Sequence, residues 1–295
     1  MRLLSFQKGD CQQIGVLEGE NVVNLSMADP SLPNELVEII SGGEIFLQQI
    51  KNCVKLAPKD SYIPLHSIDW LPPTRKAGKI ICLGLNYAAH AAEGGYERPS
   101  YPSFFMRSNT SLVAHEKPII RPQASETLDY EAELVAVVGK HARHVKRENA
   151  LNYIWGYSIF NDASIREYQR KTAQWTIGKN FDSTGGFGPI VVTSDELPEG
   201  ASGMQIQTRL NGNTLQNANT DMMLFNVEET VYLLTQCLTL EPGDLIVMGT
   251  PSGVGHARNP PLWMKPGDIC EIEIEDIGIL RNPIKEEKLS NERVR

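Results

Sequence analysis

Hydrophobic and polar positions along the chain change period several times, and the changes divide it into elements. Residues 13–17 and 21–25 alternate around Glu18-Gly19-Glu20, which predicts a β-hairpin. After Pro33, apolar residues at Leu36, Ile39 and Ile40 share one helical face. Gly42-Gly43 interrupts them, and Ile45, Phe46, Ile50 and Val54 predict a second short helix. Trp70-Leu71-Pro72-Pro73-Thr74 reads as a linker, because consecutive prolines stop regular structure. Residues 1–70 therefore read as a small α/β accessory domain and residues 76–285 as a larger second domain.

In that second domain, residues 79–84, 130–138, 154–160 and 245–251 are apolar runs of strand length. Residues 204–210 followed by Asn211-Gly212 predict a hairpin with a type I′ turn, and Asn226 with Glu229 predicts a capped helix reaching about Leu240. Between residues 269 and 279, Ile272 and Ile274 alternate with Glu271, Glu273 and Glu275, the pattern of a strand with a solvated acidic face. Residues 175–189 read as a glycine-rich loop, and residues 286–295 as a charged tail. The fold class expected is α+β, predominantly β.

Six residues at four places break the apolar pattern in ways that suggest chemistry. Glu131 and Glu133 project from one side of the predicted 130–138 strand. Such a pair is either a solvated face or a site for a divalent cation, since two desolvated carboxylates repel. Asp162 ends the next strand, where it is either a helix N-cap or a third oxygen ligand. His90 and Glu93 are three residues apart on a predicted helix, either a surface pair or a carboxylate-oriented base. Gly94-Gly95 and the irregular residues 96–103 after them suggest a mobile lid. Lys179, in the glycine-rich stretch, lacks the spacing of a nucleotide loop; it is either a surface lysine or an ammonium presented to an anion.

Charge narrows the partners. The net charge of −8 argues against nucleic acid or an anionic membrane as the main partner, and leaves room for a small anionic substrate in a local positive pocket or on a metal. No apolar run approaches the roughly 20 residues that span a bilayer, and the first eight residues turn polar too soon for a signal peptide. Five scattered cysteines with no CxxC pair read as buried free thiols in a reducing cytoplasm.

Taken in order, several motifs resemble those of the fumarylacetoacetate hydrolase family. They are His90-x-x-Glu93 within residues 86–93, Asp129-Tyr130-Glu131-Ala132-Glu133-Leu134, residues 156–162 ending in Asn161-Asp162, Gly178-Lys179-Asn180-Phe181-Asp182, and residues 249–255 beginning Gly249-Thr250-Pro251. The resemblance spans residues 78–284 and implies a mixed β-sandwich roll, usually a homodimer. It implies that Glu131, Glu133 and Asp162 bind Mg²⁺ or Mn²⁺, with Ca²⁺ in some members, an oxygen-only set suited to a hard ion. By the same resemblance, His90 and Glu93 activate water and Lys179 contacts the substrate. Gly249 and Thr250 line the pocket, and Arg166 and Gln169 touch the substrate. Two departures bear on the substrate: Phe105-Met106-Arg107-Ser108 where many members read Phe-Leu-Lys-Pro, and Ser164-Ile165-Arg166-Glu167 for the more usual Thr-Ala-Arg-Asp.

The activity implied is hydrolysis of a C–C bond in a small anionic 2,4-dioxo acid, of acylpyruvate, fumarylpyruvate or diketo-deoxy sugar acid type, through a pyruvate enolate. The same site supports oxaloacetate-type decarboxylation, enol–keto isomerisation or hydration of a 2-oxo-4-enoate. A silent metal-stabilised scaffold is the reading of another class, and the presence of His90, Glu93 and Lys179 weighs against it.

Overall fold

The computed structural model describes residues 1–288, so of the charged tail residues 289–295 lie outside the described residues, while Glu286 ends the strand Gly278–Glu286. Ten strands follow one another across a large, mostly antiparallel sheet. Their order is Tyr62–Pro64, Asn21–Asn24, Cys11–Glu18, Arg2–Lys8, Gly185–Thr193, Ile154–Asp162, Ala132–Val138, Leu245–Val247, Ile80–Gly84 and Ser103–Met106. Asp69–Leu71 and Leu112–Val113 join at the side, completing twelve strands. A five-stranded sheet, Asn213–Asn219, Gln205–Leu210, Ile269–Ile274, Gly278–Glu286 and Ile119–Arg121, packs against it.

The central strand Ala132–Val138 is buried along its whole length, because both of its faces meet apolar layers. Leu134, Ala136 and Val138 enter the cluster shared with Ile206, Ile272 and Leu280 of the second sheet. Val135 and Val137 enter another with Leu3, Ile14, Ile39 and Ile40. The first seventy residues thus share a core with the rest of the chain. Arg2–Lys8 pairs with Gly185–Thr193 in the large sheet, a pairing no local pattern announces. The 70–74 segment is held as well: Trp70 and Leu71 pair with Phe6 and Ser5, and Ser5 Oγ donates to Pro73 O at 2.7 Å.

Other local expectations divide. Asn211 and Gly212 adopt φ of 51° and 79°, the two left-handed residues of a type I′ turn. Asn226 Oδ1 accepts from Glu229 N–H at 2.9 Å and caps Val227–Cys237. Residues 185–189 are not loop but the start of a strand. Glycine is required at Gly185, where a Cβ would lie 2.8 Å from Arg107 Nη2 and 3.0 Å from the Phe160 ring. The run from 269 to 279 is two strands separated by a turn, and its glutamates do have a partner: Arg209 reaches Glu271 at 3.3 Å and Glu273 at 2.5 Å. All five cysteines are free, but only Cys82 and Cys270 are buried. Among the described residues no helix is long and apolar enough to cross a membrane.

Candidate active site

The acidic stretch departs from the predicted strand at the point that matters. Leu128–Asp129 forms a short pair with Ser164–Ile165, the chain leaves the ladder at Tyr130 and Glu131, and the strand resumes at Ala132. The interruption is satisfied by neighbours. Glu131 N–H donates to Asn161 Oδ1 at 3.1 Å, and Asp162 N–H donates to the Glu131 carbonyl at 3.0 Å. These bonds bring the end of the Ile154–Asp162 strand against the break. Glu131, Glu133 and Asp162 present carboxylate oxygens that all lie within 4.8 Å of one another. The solvated-face reading of the glutamates fails, since they are 4% and 1% exposed. The N-cap reading of Asp162 fails too, because Ile165 precedes the Arg166–Gln169 helix and the Asp162 carboxylate is turned to cations.

Three buried cations surround the triad. Lys179 Nζ stands 2.5 Å from both Glu131 Oε2 and Asp162 Oδ2. Arg166 donates to Glu131 Oε1 at 2.7 Å and to Asp129 Oδ2 at 2.8 Å. Arg107 donates to Asp162 Oδ1 at 2.5 Å. Lys179 is therefore no surface lysine, and Arg107, with no exposed side chain, is a structural partner of Asp162 rather than an anion contact on the cavity wall. Gln169 Oε1 accepts from Arg166 and steadies the guanidinium.

Glu133 is the exception in this network. Its Oε2 accepts from the Gly249 N–H at 2.6 Å, a neutral donor, and among the described residues no cation pairs with it. Burial, then Asp162 and Glu131, push the Glu133 carboxyl well above the usual carboxylate range. Burial also raises Asp162, with the charges of Lys179 and Arg107 opposing it. Burial acts upward on Glu131 as well, yet Arg166 and Lys179 outweigh it and hold that carboxyl low. An oxygen-only triad with one carboxylate left without a counter-charge fits a hard divalent ion.

Gly249 meets Glu133 from a left-handed backbone, φ 85°, packed so that a Cβ would lie 2.6 Å from Asn86 Cβ. Asn86, fully buried, fixes that loop by donating to Met248 O at 2.6 Å and accepting from Phe225 N–H at 2.8 Å. The helix that carries His90 and Glu93 therefore begins at Ala88. Within Ala88–Glu93, His90 Nδ1 and Glu93 Oε1 are 2.8 Å apart, and Glu93 Oε2 accepts from Gly253 N–H at 2.9 Å. His90 is thereby oriented through one ring nitrogen, with Nε2 left for exchange.

A cavity of about 60 Å³ joins these parts, walled by His90, Glu93, Glu131, Glu133, Lys179 and Thr250, with Arg166, Gln169, Arg170, Trp175 and His256 completing it. Thr250 Oγ1 accepts from Gln216 Nε2 at 2.9 Å. Gly249 and the fully buried Asp162 are not on the cavity wall.

Sequence reasoning missed Asp129, which is fully buried behind this wall and holds its residues in place. It accepts from Arg166, from Gly255 N–H at 2.8 Å and from His256 N–H at 3.0 Å. Its signal was its place two residues before Glu131. Burial, then Arg166 and Arg170, lower the pKa of His256 and favour its neutral form.

Residues 79–285 match the family described as fumarylacetoacetate (FAA) hydrolase C-terminal. The chain is 37% identical over 290 residues to the mitochondrial oxaloacetate tautomerase of Xenopus laevis, covering 96% of this chain and 90% of that protein. It is 36% identical to the mitochondrial oxaloacetate tautomerase of Rattus norvegicus, with 96% and 91% covered. Among solved structures it is similar to a fumarylacetoacetate hydrolase from Exiguobacterium antarcticum, with TM-score 0.83, 32% identity and coverage of 97% and 100%. It is also similar to a maleylpyruvate hydrolase from Sphingobium sp. SYK-6 in complex with manganese (II) ion and pyruvate, with TM-score 0.81, 25% identity and coverage of 98% and 100%.

Proposed function

Since the chain belongs to the fumarylacetoacetate hydrolase family of enzymes, we propose that it interconverts the enol and keto forms of a small 2-oxo acid of the oxaloacetate kind. The observation that carries this reading is a single oriented base, His90 held by Glu93, on the same cavity wall as Glu131, Glu133 and Lys179. Tautomerisation needs one reactant and one proton carrier. Hydrolysis of an acylpyruvate needs a longer substrate and a seated water as well. The curated relatives named oxaloacetate tautomerases support the same choice.

Glu131, Glu133 and Asp162 would hold the metal, Mn²⁺ or Mg²⁺ with Ca²⁺ as a further hard ion, and when bound it would supply Lewis-acid polarisation of the 2-oxo acid end. The chain's own residues do the rest. Arg166 fixes Glu131 while Asp129 fixes Arg166, so the site is shaped before substrate arrives. Lys179 keeps a positive charge on the wall where the substrate oxygen gains negative charge. His90 Nε2 removes the enol O–H proton and a proton is delivered through the same nitrogen to C3; the reverse direction retraces the path. Glu93 keeps the other ring proton on Nδ1 and stabilises the imidazolium.

Stopped-flow decay of enol-oxaloacetate absorbance, with EDTA-treated and Mn²⁺-reloaded protein, tests this. A metal-dependent acceleration without CO₂ or pyruvate release is expected. Pyruvate release from acylpyruvates with no effect on the enol would replace this reading with the hydrolase; CO₂ release would replace it with the decarboxylase. The homodimer is part of the proposal, checked by sedimentation. Five free thiols suit a reducing compartment; the relatives are named mitochondrial, and we propose the cytoplasm or an equally reducing organelle.

A further inference from the structure

Three basic side chains line the cavity: Arg166, Lys179 and Arg170. Two are saturated. Arg166 is taken up by Asp129 and Glu131, and Lys179 by Glu131 and Asp162. Arg170 is different. Among the described residues no carboxylate pairs with it, and its guanidinium contacts only Nε2 of His256. A guanidinium can only donate, so His256 accepts through Nε2, carries its proton on Nδ1 and is neutral. The His256 backbone is itself fixed, donating to Asp129 Oδ2. Arg170 directly follows the Arg166–Gln169 helix, and its N–H donates to Arg166 O at 3.1 Å, so its backbone is held beside the site.

Arg170 is exposed at the cavity, so its fork is open to an anion arriving from solution, while Arg166 and Lys179 are buried and already paired. A monoanionic 2-oxo acid spends its one carboxylate at the reacting end. We propose that Arg170, steadied by His256, anchors the second carboxylate of a dianionic substrate, so that the chain selects 2-oxo dicarboxylates over 2-oxo monocarboxylates. The planar fork of arginine matches a carboxylate through two parallel hydrogen bonds, which a lysine cannot reproduce. This inference deepens the tautomerase reading and takes from it only which end of the substrate reacts.

The test pairs two ligands that differ by that carboxylate: difluoro-oxaloacetate, which cannot enolise, and pyruvate. Both are titrated calorimetrically into Mn²⁺-loaded wild type, Arg170→Gln and Arg170→Lys. Arg170→Gln should weaken the dianion roughly 10- to 100-fold, the range of a lost charged hydrogen bond, and leave pyruvate within about threefold. Arg170→Lys should recover part of the loss. With enol-oxaloacetate the defect should fall on KM, with kcat little changed. Equal weakening of both ligands, or an unaltered dianion, overturns the anchor. Calorimetry reads binding without turnover, so a wild type that accelerates no tautomerisation defeats the functional reading while the ratio of the two affinities still decides on Arg170.

Discussion

Lys179 and Asp162 form a buried ion pair with Nζ 2.5 Å from Oδ2, and the same nitrogen stands 2.5 Å from Glu131 Oε2. The ammonium thus occupies the gap between two of the three carboxylates that converge as metal donors. A bound divalent ion and the ammonium draw on the same oxygens.

Lys179→Met should accordingly separate stability from metal affinity. Removing one partner of a buried pair costs roughly 3–5 kcal/mol, so the metal-free variant should melt well below wild type. Mn²⁺ should bind it more tightly and restore more of its melting temperature. Calorimetry and thermal melts with and without Mn²⁺ check this; an identical metal-induced shift in both proteins would show that the two cations do not compete.

His90→Gln should lower kcat for enol–keto exchange by about 10²–10⁴, the usual contribution of a positioned acid–base group, while Mn²⁺ affinity stays the same. Glu93→Gln should retain more activity, because the ring remains but loses its charged partner. Full turnover in His90→Gln removes the dyad from the mechanism.

Gly249→Ala strains a left-handed residue and drives a Cβ into Asn86. The relief is a shift of the Gly249 N–H away from Glu133. The expected loss is about 1–3 kcal/mol of stability, read from urea denaturation, with weaker Mn²⁺ binding. A variant unchanged in both would mean that this backbone does not position Glu133.

His115 predicts a pH dependence remote from the active site. Burial, aided by Arg281, lowers its pKa from 6.5 to about 4 against the opposing pull of Glu116. Its Nδ1 accepts from Arg281 N–H at 3.1 Å, and its ring meets Trp70 edge-on at 4.8 Å. The folded state keeps His115 neutral while the unfolded chain protonates near 6.5. Its contribution is therefore complete above pH 6.5 and declines as the pH falls toward 4, by roughly 2–4 kcal/mol at 1.36 kcal/mol per pH unit. Urea midpoints between pH 7 and 4 should fall less steeply in His115→Gln than in wild type; equal slopes would exclude His115 as the source.

Local signals in the sequence were strong where a short stretch decides its own conformation. The Asn211-Gly212 turn, the Asn226 cap and the His90–Glu93 pair each depend on residues within four positions, and each is present. What local pattern could not convey is pairing at a distance. Leu3 lies opposite Val191, so a block set apart by its prolines shares a sheet with the larger one. Gly185 looked like loop because its purpose, leaving space for Arg107 and Phe160, belongs to a packed interior. The role of Arg107 stayed open in the sequence because its partner Asp162 is 55 positions away. The acidic triad was legible as residue types in order; the saturation of Lys179 and Arg166, which leaves Arg170 unpaired, was not.

Glu93 carries two obligations on one carboxylate: Oε1 holds the His90 ring and Oε2 holds the Gly253 N–H. The carboxylate that orients the imidazole is thus also the tether between the Ala88–Glu93 helix and the 249–255 loop, so one side chain sets both the direction of the base and the seating of the segment that carries it.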